Sequence, residues 1–189
     1  MDANDLKTTI VDVVAILSVN KLEFHLTGGL ASSFYGEPRF TQDIDIVVRV
    51  SMGSSLERLI SDLSKKFIID GIVAKEEVGR GGLFQALHEE TMIKIDFHVG
   101  EAIKGELNRS RTEEILPGVK VPLVSKEDAI LSKLIWIKKG SHKSRQDIKM
   151  MLKRSGAIDS TYLDEQSIML GVQEILGELR REMEEESKS

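Results

Sequence analysis

The segment DIDIVVRV (43–50) constrains the fold more than any other part of the chain, because it sets two acids inside a strongly β-forming run. Successive side chains of a strand point to opposite faces of its sheet. Asp43 and Asp45 therefore share one face, while Ile44 and Ile46 face a hydrophobic core. Carboxylates lose hydration when a sheet packs, so this pattern indicates that the face accommodates something charged.

A second segment, TMIKIDFHV (91–99), repeats the alternation and places Lys94, Asp96 and His98 on one face. If the two strands are neighbours, Asp96 joins the two aspartates of the first strand. Three clustered carboxylates repel one another, and a divalent cation removes that repulsion. Ligation by oxygen alone favours Mg²⁺ or Mn²⁺ over zinc.

Paired glycines, Gly28 and Gly29, separate an apolar segment (22–27) from a short helical pattern (30–35). A glycine turn that opens a helix lets backbone N–H groups approach a phosphate closely. Phosphate at the glycines and metal at the aspartates together describe a site for a nucleoside triphosphate. Taken alone, a Gly-Gly pair is most often a turn, and an Asp-x-Asp pair is most often a solvated strand edge. Their combination is much rarer.

Composition limits the classes of protein that remain. The 189 residues carry a net charge of −5 and include no cysteine, which excludes disulfides and thiolate metal sites. No apolar run approaches the ~20 residues of a membrane span, and the N-terminus lacks a basic signal region, so a soluble cytoplasmic protein is expected. The basic stretch 133–154 could hold phosphates locally, but charge alone favours a solvated helix surface. The acidic C-terminus is expected to fray.

Hydrophobic spacing predicts an α+β protein, in which a part with both helices and strands (1–122) precedes a C-terminal helical region (123–189). Predicted helices, including a Ser54–Glu57 capping box, cover about 4–18, 30–35, 54–67, 126–139, 144–155 and 160–183. Predicted strands cover about 22–27, 43–50, 71–78, 83–88, 92–99 and 120–125, with GRGG (79–82) as a hairpin turn.

The motifs LTGG (26–29), DIDI (43–46) and KIDFH (94–98) resemble the DNA polymerase β-like nucleotidyltransferase superfamily. The longer pattern GGLASSFYGEPRFTQDIDI is similar to its AbiE-type, abortive-infection toxin branch. The resemblance implies a nucleotidyltransferase fold, in which a catalytic core (1–122) with a mixed sheet flanked by helices is followed by the helical region (123–189).

The resemblance also implies roles for individual residues. Those implied for metal binding and catalysis are Asp43, Asp45 and Asp96. Those implied for nucleotide binding are Gly28, Gly29, Ser32, Ser33, Lys133 and Asp147. A solvated helix surface remains open for Lys133, and Asp147 also fits a capping role three residues after Ser144. Arg39 and Thr41 match the branch pattern as supports for the turn.

The expected activity is transfer of a nucleoside monophosphate from an NTP to an acceptor hydroxyl, with Mg²⁺ or Mn²⁺ as cofactor. Candidate acceptors are a tRNA end, a protein side chain and a small molecule, and the basic helices favour RNA. A cognate antitoxin is a further expected partner, and a membrane is not. The alternative is a non-catalytic nucleotide-binding module or antitoxin-like partner with the same fold, although three clustered acids speak against it.

Three other residues attract a functional interpretation less readily. His25 and His98 are each expected to be ordinary strand histidines, and His98 is the better functional candidate of the two because it shares the face of Asp96. Trp136 is expected to pack in the core or between domains, because it lies among leucine and isoleucine residues.

Overall fold

The structure is a computed structural model that describes residues 2–39, 41, 43–154 and 156–187. Its chain forms two compact units: Met1–Leu30 with Phe40–Val124, and Ala31–Arg39 with Ser125–Ser189. Residues 31–39 thus group with the C-terminal helices, although they lie within the segment predicted as the catalytic core. No helix in the described part of the chain has the length and apolar character that a membrane crossing requires.

The first unit contains the strands and most of the N-terminal helices. Its helices are α1 (Ala3–Val19), the start of α2 (Gly28–Tyr35), α3 (Ser54–Leu63) and α4 (Gly71–Arg80). Its strands are β1 (Glu23–Leu26), β2 (Asp43–Arg49), β3 (Phe67–Ile69), β4 (Leu83–His88), β5 (Lys94–Val99), β6 (Arg111–Leu116) and β7 (Val119–Leu123).

These strands form one sheet in the order β3-β4-β5-β2-β1-β7-β6. The pairs β2–β5 and β1–β7 are parallel, and the other neighbouring pairs are antiparallel. The predicted α+β class with a mixed sheet is confirmed. The central position of β2, beside β5, is what brings the two acid-bearing strands together.

The hydrophobic core of this unit comes from the alternating residues of the central strands. Ile44 and Ile46 of β2 and Ile95 and Phe97 of β5 have no exposed surface, as the alternation predicts. The rings of Phe84 and Phe97 stack with centroids 4.8 Å apart. Burial of these large side chains stabilises each strand by roughly 1.5–3 kcal/mol per residue, which fixes the opposite face of β2 and β5 as the polar one.

The second unit is helical, with α5 (Lys126–Lys138), α6 (Lys143–Lys153), α7 (Ser160–Met169) and α8 (Gln173–Glu186). Ser125 caps α5, because its hydroxyl accepts the N–H of Asp128 at 3.1 Å. The Asp128 carboxylate also accepts a 2.7 Å bond from the Tyr162 hydroxyl of α7, which ties the two helices together.

A charge ladder joins α6 to α8. Three basic residues of α6 bind three glutamates of α8, each set spaced four residues apart: Arg145, Lys149 and Lys153, and Glu178, Glu182 and Glu186. Four-residue spacing places each set on one helix face. The acidic C-terminal helix is therefore ordered, and the prediction that it frays is wrong. Several basic residues of the stretch 133–154 are therefore paired with glutamates of the same unit.

We expect Glu182→Gln to lower the melting temperature, and to do so more at low salt than at high salt. Hydrogen bonds from Lys149 and then Arg145 lower the pKa of Glu182. A carboxyl whose pKa is lowered by folding adds stability above its ordinary pKa and loses it as pH falls through the folded value. Thermal melts at two salt concentrations check this, with Glu184→Gln on the same helix as the control. Equal melting temperatures for the two variants would contradict the ladder.

The predicted strand 71–78 is wrong, since these residues form α4. Asp70 caps this helix by accepting two N–H groups of its first turn, and Gly81 ends it with a left-handed φ of 65°. The predicted hairpin turn at 79–82 is therefore the end of a helix. An isoleucine–valine pair after a glycine resembles a strand start, but the capping aspartate decides the conformation.

Other boundaries also differ from the prediction. Residues 160–183 form two helices, because Gly171 has a φ of 64° between α7 and α8. The prediction of a capping box at Ser54 is wrong, since the N-cap of α3 is Gly53, which has no side chain that could form a cap bond. Phe67, predicted on α3, belongs to the unpredicted β3, and β6 was also missed because its sequence RTEEIL is polar. Trp136 is 47% exposed, so the prediction that it packs is wrong.

Candidate active site

Neighbouring parallel strands bring the predicted acids together. In the register of β2 and β5, Asp45 lies opposite Asp96 and Asp43 lies opposite Lys94. Parallel neighbours are about 4.8 Å apart, so Asp45 and Asp96 belong to one patch on the polar face. Asp43 lies two residues before Asp45 and shares this face. The structure thus places all three predicted acids on one side of one strand pair.

Asp45 packs directly against the start of α2. A Cβ built on Gly28 would overlap the carboxylate of Asp45 and lie 2.7 Å from its Cβ, so only glycine fits there. Gly28 also has a left-handed φ of 59°, which is a second reason why glycine is favoured at this position. On the other side of Asp45, the His98 Nε2 atom lies 3.1 Å from its Oδ1 atom. His98 therefore contacts the acid cluster.

Asp96 and Asp43 also accept hydrogen bonds from neighbouring side chains. Gln85 Nε2, on β4, donates to Asp96 Oδ1 at 2.9 Å, and Lys94 Nζ donates to Asp96 Oδ2 at 2.9 Å. The same Lys94 Nζ lies 3.9 Å from Asp43 Oδ2. The hydrogen bond to Asp96 raises the pKa of Lys94, and burial opposes that rise only in part. Thr41 supports Asp43 by donating to its backbone carbonyl at 3.0 Å.

The fit of this patch to a divalent cation depends on its donor chemistry. Three carboxylates on one face are the oxygen ligands that Mg²⁺ and Mn²⁺ prefer. Within residues 2–39, 41, 43–154 and 156–187, no group of three Asp, Glu, His or Cys side chains is arranged to hold a metal ion. The Lys94 ammonium lies between Asp43 and Asp96 instead. The carboxylate oxygens are the donor type that suits the cation, and the Lys94 ammonium contacts two of the three side chains.

The candidate phosphate-binding residues lie at the start of α2. The helix begins at Gly28 itself, so Gly29 is its second residue and their N–H groups belong to its first turn. Ser32 follows one turn later and is buried. Ser33 bonds elsewhere, since its hydroxyl donates to the carbonyl of Arg39 at 3.1 Å and accepts the N–H of the same residue.

Lys133 and Asp147 bind each other in the second unit, where Lys133 Nζ donates to Asp147 Oδ2 at 2.7 Å. Arg39 adds Nε and Nη2 bonds to the two oxygens of Asp147, both at 3.0 Å. Burial acts to raise the pKa of Asp147, but Lys133 and then Arg39 outweigh it and lower that pKa. The capping role considered for Asp147 is wrong, because its carboxylate bonds these two side chains and Ser144 is not the N-cap of α6.

We expect Asp147→Asn to lower the free energy of unfolding by roughly 1–3 kcal/mol at neutral pH, less than for a fully buried pair because Arg39 is partly exposed. The wild-type carboxyl has a lowered pKa, so its contribution is present above the ordinary Asp pKa and is lost as pH falls through the folded value. Urea melts from pH 7 to pH 3 check this, with Asp164→Asn on α7 as control. A constant difference between variant and wild type over this range would contradict the assignment.

Sequence reasoning missed three participants. Lys94 was placed on the correct face, but its ion pair depends on the strand pairing. Gln85 lies opposite Asp96 in the β4–β5 register, a contact that the local sequence does not reveal. Arg39 was taken as a support for the turn, and its two bonds to Asp147 join residues 108 positions apart. His25 is an ordinary buried histidine as expected, with Nδ1 2.7 Å from the Ser110 hydroxyl.

Comparison with known proteins places the chain among the nucleotidyltransferases. The family model "Nucleotidyl transferase AbiEii toxin, Type IV TA system" matches residues 13–166. The chain belongs to this AbiEii family of nucleotidyltransferase toxins and is a nucleotidyltransferase. The resemblance inferred from the motifs is confirmed. No curated protein matches the chain significantly.

Solved structures support the fold. An antigenic nucleotidyltransferase-like protein from Paracoccidioides brasiliensis is 20% identical, with a TM-score of 0.56 over 95% of this chain and 93% of that one. The antibiotic-resistance factor ANT(2'')-Ia is 14% identical, with a TM-score of 0.56 over 100% and 99%. The lincosamide antibiotic adenylyltransferase LnuA, bound to lincomycin, is 15% identical, with a TM-score of 0.53 over 82% and 99%. At these identities the likeness establishes the nucleotidyltransferase fold.

Proposed function

We propose that the chain transfers a nucleoside monophosphate from an NTP to an acceptor hydroxyl with the help of Mg²⁺ or Mn²⁺. One observation carries the proposal: Asp45 and Asp96 are register partners on neighbouring parallel strands, and Asp45 packs against the glycine that starts α2. This arrangement sets carboxylates beside a helix N-terminus, where anions are stabilised. The three carboxylates would hold a divalent cation, and the helix N-terminus would hold the anionic substrate.

The start of α2 is the proposed phosphate-binding element. The helix dipole favours negative charge at the N-terminal end of a helix. Gly28 and Gly29 have no side chain that would keep a phosphate at a distance. Ser32, in the next turn of the helix, is a further proposed contact. The Ser33 hydroxyl bonds the backbone of Arg39.

Asp43, Asp45 and Asp96 would hold the cation, which when bound would neutralise developing negative charge and lower the pKa of the acceptor hydroxyl. The acceptor oxygen attacks the α-phosphorus, the bond from that phosphorus to the bridging oxygen breaks, and pyrophosphate leaves. The hydroxyl proton passes to a carboxylate oxygen, for which we propose Asp96. Lys133 and Asp147, with Arg39, are proposed nucleotide contacts of the helical region.

For the acceptor we propose a tRNA end or a protein hydroxyl, with a cognate antitoxin as regulator and the cytoplasm as the compartment. Membership of a toxin family supports this choice. The basic stretch supports an RNA acceptor less than its sequence suggested, because Arg145, Lys149 and Lys153 bind glutamates of α8. Membership of a transferase family does not support the alternative of a non-catalytic nucleotide-binding module.

The test is incubation with each α-³²P-labelled NTP and Mg²⁺, together with total cellular RNA or with the protein alone. We expect label in tRNA or in a protein band, accompanied by release of pyrophosphate. Label in neither, with no pyrophosphate released from any NTP, would contradict transfer. Pyrophosphate release that needs an added small-molecule alcohol would replace the proposed acceptors and keep the reaction.

A further inference from the structure

We propose that Lys94 is an internal counter-cation of the acid cluster, which holds the carboxylates in place without metal and must leave Asp96 before a divalent cation binds. This inference rests on the proposed function for the identity of the metal ligands. It adds a positioning residue that sets how tightly the site binds its cation.

The position of Lys94 follows from the strand register. It faces Asp43 across the β2–β5 pair and lies two residues before Asp96 on its own strand, so it shares the face of both acids. Its Nζ atom lies 2.9 Å from Asp96 Oδ2 and 3.9 Å from Asp43 Oδ2. One ammonium group thus contacts two of the three proposed metal ligands.

A cation is needed at this position for electrostatic reasons. Two unit charges 4 Å apart interact by about 4 kcal/mol at an effective dielectric constant of about 20, so carboxylates on paired strands repel substantially. His98 lies beside Asp45 and Gln85 donates to Asp96, but Gln85 brings no charge. Lys94 is the lysine whose ammonium faces the cluster within the described β4, β5 and β2 strands.

The same ammonium blocks metal ligation by Asp96. Both oxygens of this carboxylate are engaged, Oδ1 by Gln85 and Oδ2 by Lys94. A cation that coordinates Oδ2 competes with the ammonium, since both are positive and both bind lone pairs of this oxygen. The Lys94 side chain is 39% exposed and can turn toward solvent, so this exchange needs no backbone movement. The measured affinity for the metal ion then reflects its competition with the Lys94 ammonium for Asp96.

The direct test is titration with Mn²⁺ in the absence of nucleotide, followed by electron paramagnetic resonance of the free ion. Lys94→Gln is the main variant, Lys94→Met removes the hydrogen-bond donor as well, and Lys94→Arg keeps the charge. Lys104→Met, in an exposed position after β5, is the control. We expect roughly tenfold tighter Mn²⁺ binding for Lys94→Gln, and wild-type affinity for Lys94→Arg and the control. Unchanged or weaker binding by Lys94→Gln would overturn the proposal.

A second readout uses thermal unfolding. In EDTA, Lys94→Gln and Lys94→Met should melt below wild type, because the acids lose their counter-charge, and Mn²⁺ should raise their melting temperatures more than that of wild type. Equal melting temperatures in EDTA would also overturn the proposal.

The two proposals fail in different ways. Mn²⁺ binding that Asp96→Asn weakens, with no effect of Lys94→Gln, would refute the role of Lys94 and leave the metal site standing. Mn²⁺ binding that Asp96→Asn leaves unchanged would refute the metal site. Melting temperatures in EDTA report on the role of Lys94 as counter-cation independently of either result.

Discussion

Asp45→Asn is expected to reduce transfer of labelled nucleoside monophosphate by roughly 1,000-fold, equivalent to about 4 kcal/mol of transition-state stabilisation. Asn has the shape of Asp, so the packing of this side chain against Gly28 remains. What is lost is one negative charge and a metal ligand, at the centre of a patch that Asp43 and Asp96 flank. The measurement is single-turnover transfer at saturating NTP and Mg²⁺.

Stability separates a chemical effect from unfolding. The melting temperature of Asp45→Asn in EDTA should be equal to or above that of wild type, because the substitution reduces repulsion among the acids. Asp62→Asn, which removes an aspartate charge from α3 of the same unit, should transfer label at the wild-type rate. Wild-type turnover by Asp45→Asn would refute the assignment of this strand to the active site.

Gly28→Ala is expected to lower the free energy of unfolding by roughly 2–5 kcal/mol and to abolish nucleotide binding. Two effects add. The backbone at Gly28 is left-handed, with a φ of 59°, which costs a residue with a Cβ about 1–2 kcal/mol. The new Cβ also overlaps Asp45, so either the helix start or the carboxylate must move. Urea denaturation and NTP-induced stabilisation measure the two consequences.

Gly118→Ala is the matched control for this substitution. Gly118 has a similar φ of 74°, but a Cβ built there meets no atom within 4 Å. It should therefore show the backbone cost alone and bind NTP as wild type does. A loss of stability for Gly28→Ala no larger than for Gly118→Ala would contradict the close packing of Gly28 against Asp45.

The sequence predicted the acid patch because strand alternation is a local property. Each of Asp43, Asp45 and Asp96 is assigned to a face by its immediate neighbours. That β2 and β5 are neighbours was a hypothesis, and the structure supports it through the register of Asp45 with Asp96. Their parallel orientation was not predicted. The glycine pair was also recognisable, since few residue types tolerate a left-handed conformation.

Features that depend on distant partners were not predictable in the same way. The α8 glutamates were taken for a frayed tail because their partners on α6 are more than 30 residues away. The mistaken strand at 71–78 has a different origin, because local β propensity there outweighed the capping signal of Asp70. The engagement of Asp147 with Arg39 and Lys133 likewise needed the tertiary structure.

Asp96 offers the most direct test, because it comes from a separate strand and is a metal ligand only if the acids act as one cluster. The measurement is transfer from α-³²P-labelled NTP by wild type and Asp96→Asn, each with Mg²⁺ and with EDTA. The proposed site predicts labelled product for wild type with Mg²⁺ alone, and background for the other three reactions. Wild-type product formation by Asp96→Asn with Mg²⁺ would contradict it.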